Sequence, residues 1–196
     1  MSIRTDMAAE SFSQAGGAEK LQGVKVKNKV IENARLEVTD ITIETQEAAE
    51  KLGRPVGRYI TLTATDSTFD MYSDSFRERA EVIAKAIGEL CGGCERFLAV
   101  GLGNYALTSD AVGPLTAEKI FATRHIKSLA KEIDTDDLGE VTVIQPGVLG
   151  NTGIESSEQV KAIAERVTPQ AVIAVDALAC SCLLYTSPSP RDISGS

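Results

Sequence analysis

The first part of the chain alternates apolar and polar residues along short segments. VKVKNKVIENARLEVTDITIET (24–45) and RYITLTAT (58–65) both show this alternation and are rich in β-branched residues. A period of two is typical of strands with one buried face and one solvated face. Between them, QEAAEKLGRP (46–55) has a helical composition that ends at Gly53 and Pro55. We therefore predict half-buried strands here, with a short helix between them.

The period changes to a helical one after residue 75. Apolar residues recur at a spacing of three and four, which predicts an amphipathic helix that stops at Cys91-Gly92-Gly93. We predict a second helix from about Pro114 to Ile133, and a third that begins at Ser156 or Ser157. The residues that share the apolar face of the first helix are Phe76, Ala80, Ile83, Ala84, Ile87 and Leu90.

Three continuous apolar runs alternate with these helices: FLAVGLG (97–103), VTVIQPG (141–147) and AVIAVDA (171–177). Such runs are typical of strands that are buried on both faces of a parallel sheet. The order of strands and helices predicts an α/β fold with a mostly parallel central sheet and right-handed crossovers. In such folds the chemistry gathers at the carboxyl ends of the strands.

Length and composition predict one domain with two unusual ends. The chain has 196 residues, of which 43% are hydrophobic, enough for a single core. We expect a polar N-terminal arm at 1–20 and one α/β domain over 21–179. The Ser- and Pro-rich segment 180–196 is expected to be disordered or non-native, because LLYTSPSPRD resembles a translated sequencing adapter.

Charge and hydropathy narrow the range of partners. The formal net charge is −8, whereas a nucleic-acid binder needs a basic face. No apolar run approaches the roughly 20 residues that span a bilayer, and the N-terminus lacks the apolar core of a secretory signal. We expect a cytoplasmic protein with no direct nucleic-acid partner and no membrane partner.

Four cysteines form two close pairs, Cys91 with Cys94 and Cys180 with Cys182. Paired cysteines are one signature of zinc, but the second spacing is too short and the pairs are too far apart for a zinc ribbon. We expect reduced thiols and neither a metal nor a cofactor.

The stretch GLGNYA (101–106) follows a predicted strand and matches a variant of the dinucleotide-binding fingerprint. In that fingerprint the helix opens at the glycines, so that its amides meet the pyrophosphate. Here the helix is predicted to begin only near Pro114, and helical sequence occupies the place of the expected acidic residue. A nucleotide-binding α/β module stays an alternative.

Asp110 and Asp176 follow two different predicted strands. Two carboxylates that converge at one sheet edge can share a proton, which gives an acid and a base at neutral pH. Such a pair can activate water against a peptide carbonyl. The alternative is that each Asp forms a turn or a helix cap. His125, the single histidine, is either a ligand, a base or a helix-surface residue.

Several motifs, in order, resemble those of the spore germination protease family. Near the start, IRTDMAAE (3–10) resembles the processing region of that family. The other motifs are VGLGN (100–104), TSDAVGP (108–114), TRH (123–125), PGVLGNTGIESS (146–157) and AVDALA (174–179).

The resemblance implies an endopeptidase that degrades small acid-soluble spore proteins in the spore core during germination. It implies a phosphorylase/hydrolase-like three-layer sandwich, a homotetramer made as a zymogen, and no cofactor. Carried over, the catalytic residues are Asp110 and Asp176. Because the family cuts after an acidic and before an apolar residue, Asp6–Met7 is the expected self-processing bond.

The resemblance leaves one further enzyme alternative. Hydrogenase-maturation peptidases share the fold and the Gly-x-Gly-Asn loop, but they place Glu, Asp and His at successive strand ends, whereas His125 lies in a predicted helix. Members of the germination protease family continue well beyond the strand of Asp176. We therefore expect this chain to be incomplete at its C-terminus and to be inactive alone.

Overall fold

The computed structural model describes residues 22–66, 75–129 and 138–177. They divide into two compact units, residues 22–66 with 75–90, and residues 91–129 with 138–177. Several predictions fall outside the described residues: the arm at 1–20, the Asp6–Met7 bond, Cys180, Cys182 and the tail at 180–196.

The first unit contains an antiparallel sheet in the order β1-β2-β3. Its strands are β1 (Val24–Ile31), β2 (Leu36–Ile43) and β3 (Gly57–Ala64), which confirms the alternating segments as strands. Helix α1 (Gln46–Leu52) joins β2 to β3, as predicted.

One face of this sheet packs against α1. Ile41 and Ile43 are about 1% exposed and form a cluster with Ala48, Ala49 and Leu52. This small core follows directly from the alternation, because residues two apart on a strand share a face.

Helix α2 (Phe76–Cys91) confirms the helix predicted after residue 75. Its most buried side chain is Arg79, which is 1% exposed and donates from Nε to the carbonyl of Ala34 at 2.9 Å. Arg79 also forms an ion pair with Asp66. By contrast, Phe76 and Ile87 of the predicted apolar face are 44% and 41% exposed.

The second unit contains a parallel sheet in the order β5-β4-β6. Its strands are β4 (Arg96–Gly101), β5 (Glu140–Ile144) and β6 (Ala171–Val175), which confirms the three apolar runs as parallel strands. The central strand β4 is the most buried, because it is paired on both sides.

The prediction of one helix from Pro114 to Ile133 is wrong. The chain forms α3 (Val112–Lys119), breaks, and resumes as α4 (Arg124–Leu129). The break occurs because buried Thr123 bonds to the start of β5. Its N–H donates to the carbonyl of Val141 at 3.0 Å, and its hydroxyl donates to the carbonyl of Gly139 at 2.5 Å. The predicted end, Ile133, lies outside the described residues.

Helices α5 (Leu149–Thr152) and α6 (Ser156–Val167) connect β5 to β6. The protein therefore has an α/β fold, and the parallel arrangement holds for β4, β5 and β6. The prediction of one mostly parallel sheet does not extend to β1, β2 and β3, which pair antiparallel. The connection between β1 and β2, residues 32–35, is too short for a parallel crossover. Within the described ranges, no helix has the length and apolar character needed to cross a bilayer.

Candidate active site

Strands β4 and β6 end at the same edge of the parallel sheet. Beyond the last paired residues, the N–H of Leu102 donates to the carbonyl of Val175 at 2.8 Å. The loops that follow β4 and β6 therefore leave the sheet side by side, as the topology of parallel strands requires.

The loop after β4 is closed by Asp110. The N–H of Asn104 donates to the Oδ2 atom of Asp110 at 2.8 Å and to the carbonyl of the same residue at 3.0 Å. Leu107 links the same two residues: its N–H donates to the carbonyl of Asn104, and its carbonyl accepts the N–H of Asp110. One backbone hydrogen bond thus holds the half-buried carboxylate of Asp110, and two more hold its main chain.

Two glycines make this arrangement possible. Gly103 has a φ of 115°, and a Cβ there would lie 2.2 Å from the carbonyl oxygen of Asp110. A Cβ on Gly113 would lie 2.1 Å from the carbonyl oxygen of Leu102 and 2.4 Å from that of Val175. The start of α3 therefore packs directly against the ends of β4 and β6, with no room for a side chain.

Asp176 is the first residue after β6, and it is exposed. Its Oδ1 atom accepts the N–H of Ala177 at 2.9 Å, so the side chain folds over its own loop. The structure thus places Asp110 and Asp176 on loops that follow neighbouring strands of one sheet edge.

A groove of about 260 Å³ lies beside the loop of Asp110. Three amide side chains line it: Asn104, from the loop after β4, and Gln145 and Asn151, which follow β5; the phenol of Tyr105 lines it as well. The sequence pattern did not single out Gln145 and Asn151, although both follow β5, the second of the three parallel strands. Amide side chains supply both hydrogen-bond donors and acceptors, which suits the recognition of a peptide backbone.

The remaining predicted candidates lie elsewhere. His125 is exposed on α4, and the thiols of Cys91 and Cys94 are not in a disulfide. In residues 22–66, 75–129 and 138–177, no group of three His, Cys, Asp or Glu residues is arranged for a metal. Helix α3 begins at Val112 rather than directly after the glycines of the GLGNYA stretch, as the dinucleotide fingerprint would require.

Fold and site together define an α/β protein with two aspartates at the carboxyl edge of a parallel sheet. The family model of the germination proteases matches residues 3–186. A germination protease of Clostridium perfringens (strain ATCC 13124) is 36% identical over 182 residues, which is 90% of this chain and 55% of that protein. One of Clostridium tetani is 35% identical over 185 residues (91% and 56%), and one of Priestia megaterium 34% over 192 (91% and 50%).

The chain belongs to the germination protease family. It spans about half the length of the curated relatives that it matches.

Proposed function

We propose that the protein is an endopeptidase that starts the degradation of small acid-soluble spore proteins during germination, with Asp110 and Asp176 as its catalytic pair. One observation carries this proposal: the two aspartates follow neighbouring strands at one sheet edge. Membership of the germination protease family supports the class of reaction.

The two carboxylates have different surroundings, so we assign them different roles in proton transfer. The N–H of Asn104 occupies Oδ2 of Asp110 and fixes the orientation of this group. Its other oxygen is then available to take a proton from a water molecule that attacks the peptide carbonyl. The leaving amine needs the proton that Asp110 takes from the water, and exposed Asp176, at the neighbouring strand end, would relay it there. This chemistry needs no cofactor.

The groove beside Asp110 would hold the substrate. A peptide bound there in extended form meets the amide groups of Asn104, Gln145 and Asn151, which fix its backbone relative to the carboxylates. Such positioning raises the rate, because the attacking water and the peptide carbonyl are already held in a reactive arrangement.

The finer expectations from the sequence belong to the same proposal. The enzyme would be made as a zymogen that cuts its own Asp6–Met7 bond, and it would act as a homotetramer in the cytoplasm of the spore core. Its complete domain would be a phosphorylase/hydrolase-like three-layer sandwich. The 196-residue chain alone would leave spore proteins uncut, because the relatives use about twice the matched length.

The test uses a chimaera in which residues 1–177 are followed by the remaining C-terminal part of the Clostridium perfringens relative. We expect it to cleave a small acid-soluble spore protein and to lose its first six residues, as measured by mass spectrometry. Asp110→Asn and Asp176→Asn should each lower both rates at least 100-fold, while Glu118→Gln, an exposed acid on α3, should leave them unchanged. Processing that persists in either Asp variant would remove that residue from the mechanism.

A further inference from the structure

A second cavity, of about 450 Å³, lies in the first unit between the sheet and α2. We call it the basic groove, because four cations line it: Lys27 and Lys29 on β1, Arg58 on β3 and Lys85 on α2. Its floor is apolar and includes Val38, Ile60 and Leu62. This volume lies in the range of pockets that bind small ligands or a few peptide residues.

Arg58 forms ion pairs with both acids of the groove. Its Nε and Nη2 atoms bind the two oxygens of Asp40 at 3.0 and 2.8 Å, and Nη2 also binds Glu89 at 2.7 Å. These bonds raise the pKa of Arg58 above its ordinary value, and they lower the pKa of Asp40. The two carboxylates are therefore already paired with the arginine.

The three lysines of the groove are open to a further partner, although the charge of Lys27 helps to lower the pKa of Asp40. Among the described residues, no carboxylate forms an ion pair with Lys27, Lys29 or Lys85, although Lys27 lies opposite Asp40 in the register. Lys25, on the same face of β1, is different, because Glu44 pairs with it. The lining thus carries four cations and two acids, a net charge of +2, in a chain whose formal net charge is −8.

The position of the lysines indicates the shape of that partner. Strand β1 is an edge strand of its sheet, and Lys27 and Lys29 point to the same face, about 7 Å apart. An extended peptide that pairs with such an edge presents every second side chain to the same face. Acidic side chains at alternate positions would therefore match the spacing of the lysines.

We propose that the basic groove binds an acidic, extended peptide segment of a partner protein. Carboxylates at alternate positions of the peptide contact Lys27 and Lys29 on the edge strand β1, and Lys85 of α2 adds positive charge to the same groove. The binding does not depend on the proposed peptidase activity, because all residues of the groove belong to the first unit, whereas Asp110 and Asp176 belong to the second.

The experiment measures binding alone, by fluorescence anisotropy with the 196-residue chain. The probe is a fluorescein-labelled octapeptide with glutamate at alternate positions, and its counterpart has glutamine there. We expect the glutamate peptide to bind at low salt, more weakly as salt increases, and the glutamine peptide not to bind. Lys27→Gln with Lys29→Gln should weaken binding at least tenfold, and Lys27→Arg with Lys29→Arg should keep it within threefold.

A matched control removes the same charge elsewhere. Lys51→Gln with Lys161→Gln changes two exposed lysines outside the groove and should alter binding less than twofold. Equal loss in this control would overturn the proposal, as would a groove variant that binds like the wild type. Absence of binding would mean that the lysines only protect the strand edge from pairing. Tighter binding of a labelled oligo(dT) of equal charge would also overturn it.

Discussion

The backbone N–H of Asn104 donates to the carboxylate of Asp110 at 2.8 Å and to the carbonyl of the same residue at 3.0 Å. A single amide thus ties the loop after β4 to the residue that precedes α3 by two positions. Because a backbone amide cannot rotate as a side chain does, the carboxylate is fixed without a supporting side chain. This arrangement requires a residue without a side chain at position 103, because a Cβ on Gly103 would clash with the carbonyl oxygen of Asp110.

Gly103→Ala should therefore destabilise the protein by about 3 kcal/mol, because a Cβ would lie 2.2 Å from a backbone oxygen and the φ of 115° is unfavourable for alanine. Urea unfolding measures this. Gly92→Ala is the control: its φ is also positive, 55°, but no heavy atom lies within 4 Å of the added Cβ. It should cost about 1 kcal/mol. Equal losses in both variants would mean that steric contact with Asp110 is unimportant.

Much of the local structure could be predicted from the sequence, because the periods of two and 3.6 reflect which face is buried. The alternation at 24–45 gave β1 and β2, and the uninterrupted apolar runs gave β4, β5 and β6. The approximate place of the candidate site followed as well, since parallel strands bring their carboxyl ends together.

Two features depend on contacts between residues far apart in sequence, and the pattern could not reveal them. Arg79 is buried and donates a hydrogen bond to the carbonyl of Ala34, 45 positions away, although an arginine on a helix is normally exposed. Thr123 ends the predicted helix through bonds to Gly139 and Val141. Hydrophobic periodicity carries no information about such polar partners.

Thr123→Val should destabilise the protein by about 2 kcal/mol. The change keeps the shape of the side chain but removes the hydroxyl that donates to the carbonyl of Gly139 and accepts the N–H of Val141. Urea unfolding measures the loss, and Thr116→Val is the control. The hydroxyl of Thr116 only donates back to Val112 within α3, so its removal should change stability by less than about 0.5 kcal/mol. A neutral Thr123→Val would contradict the explanation of the helix break.

Arg79→Met should lower the free energy of unfolding by about 3 kcal/mol, because it leaves Asp66 and the carbonyl of Ala34 without their buried cation. Arg77→Met on the same helix is the matched control. Arg77 pairs with Glu81 at the surface, its side chain is 88% exposed, and the loss should be below about 0.5 kcal/mol. Comparable values for the two variants would show that Arg79 does not anchor α2.

Acid should weaken the same contact. A hydrogen bond from Arg79, with a further one from Arg35, lowers the pKa of Asp66 below its usual value of 3.8 in the folded protein. The stabilisation is therefore complete above about pH 4 and is lost as the pH falls through the lower, folded pKa. Asp66→Asn should be less stable than the wild type in urea at pH 7, and this gap should shrink as the pH is lowered below about 4. A gap between Asp66→Asn and the wild type that stays constant with pH would contradict the linkage.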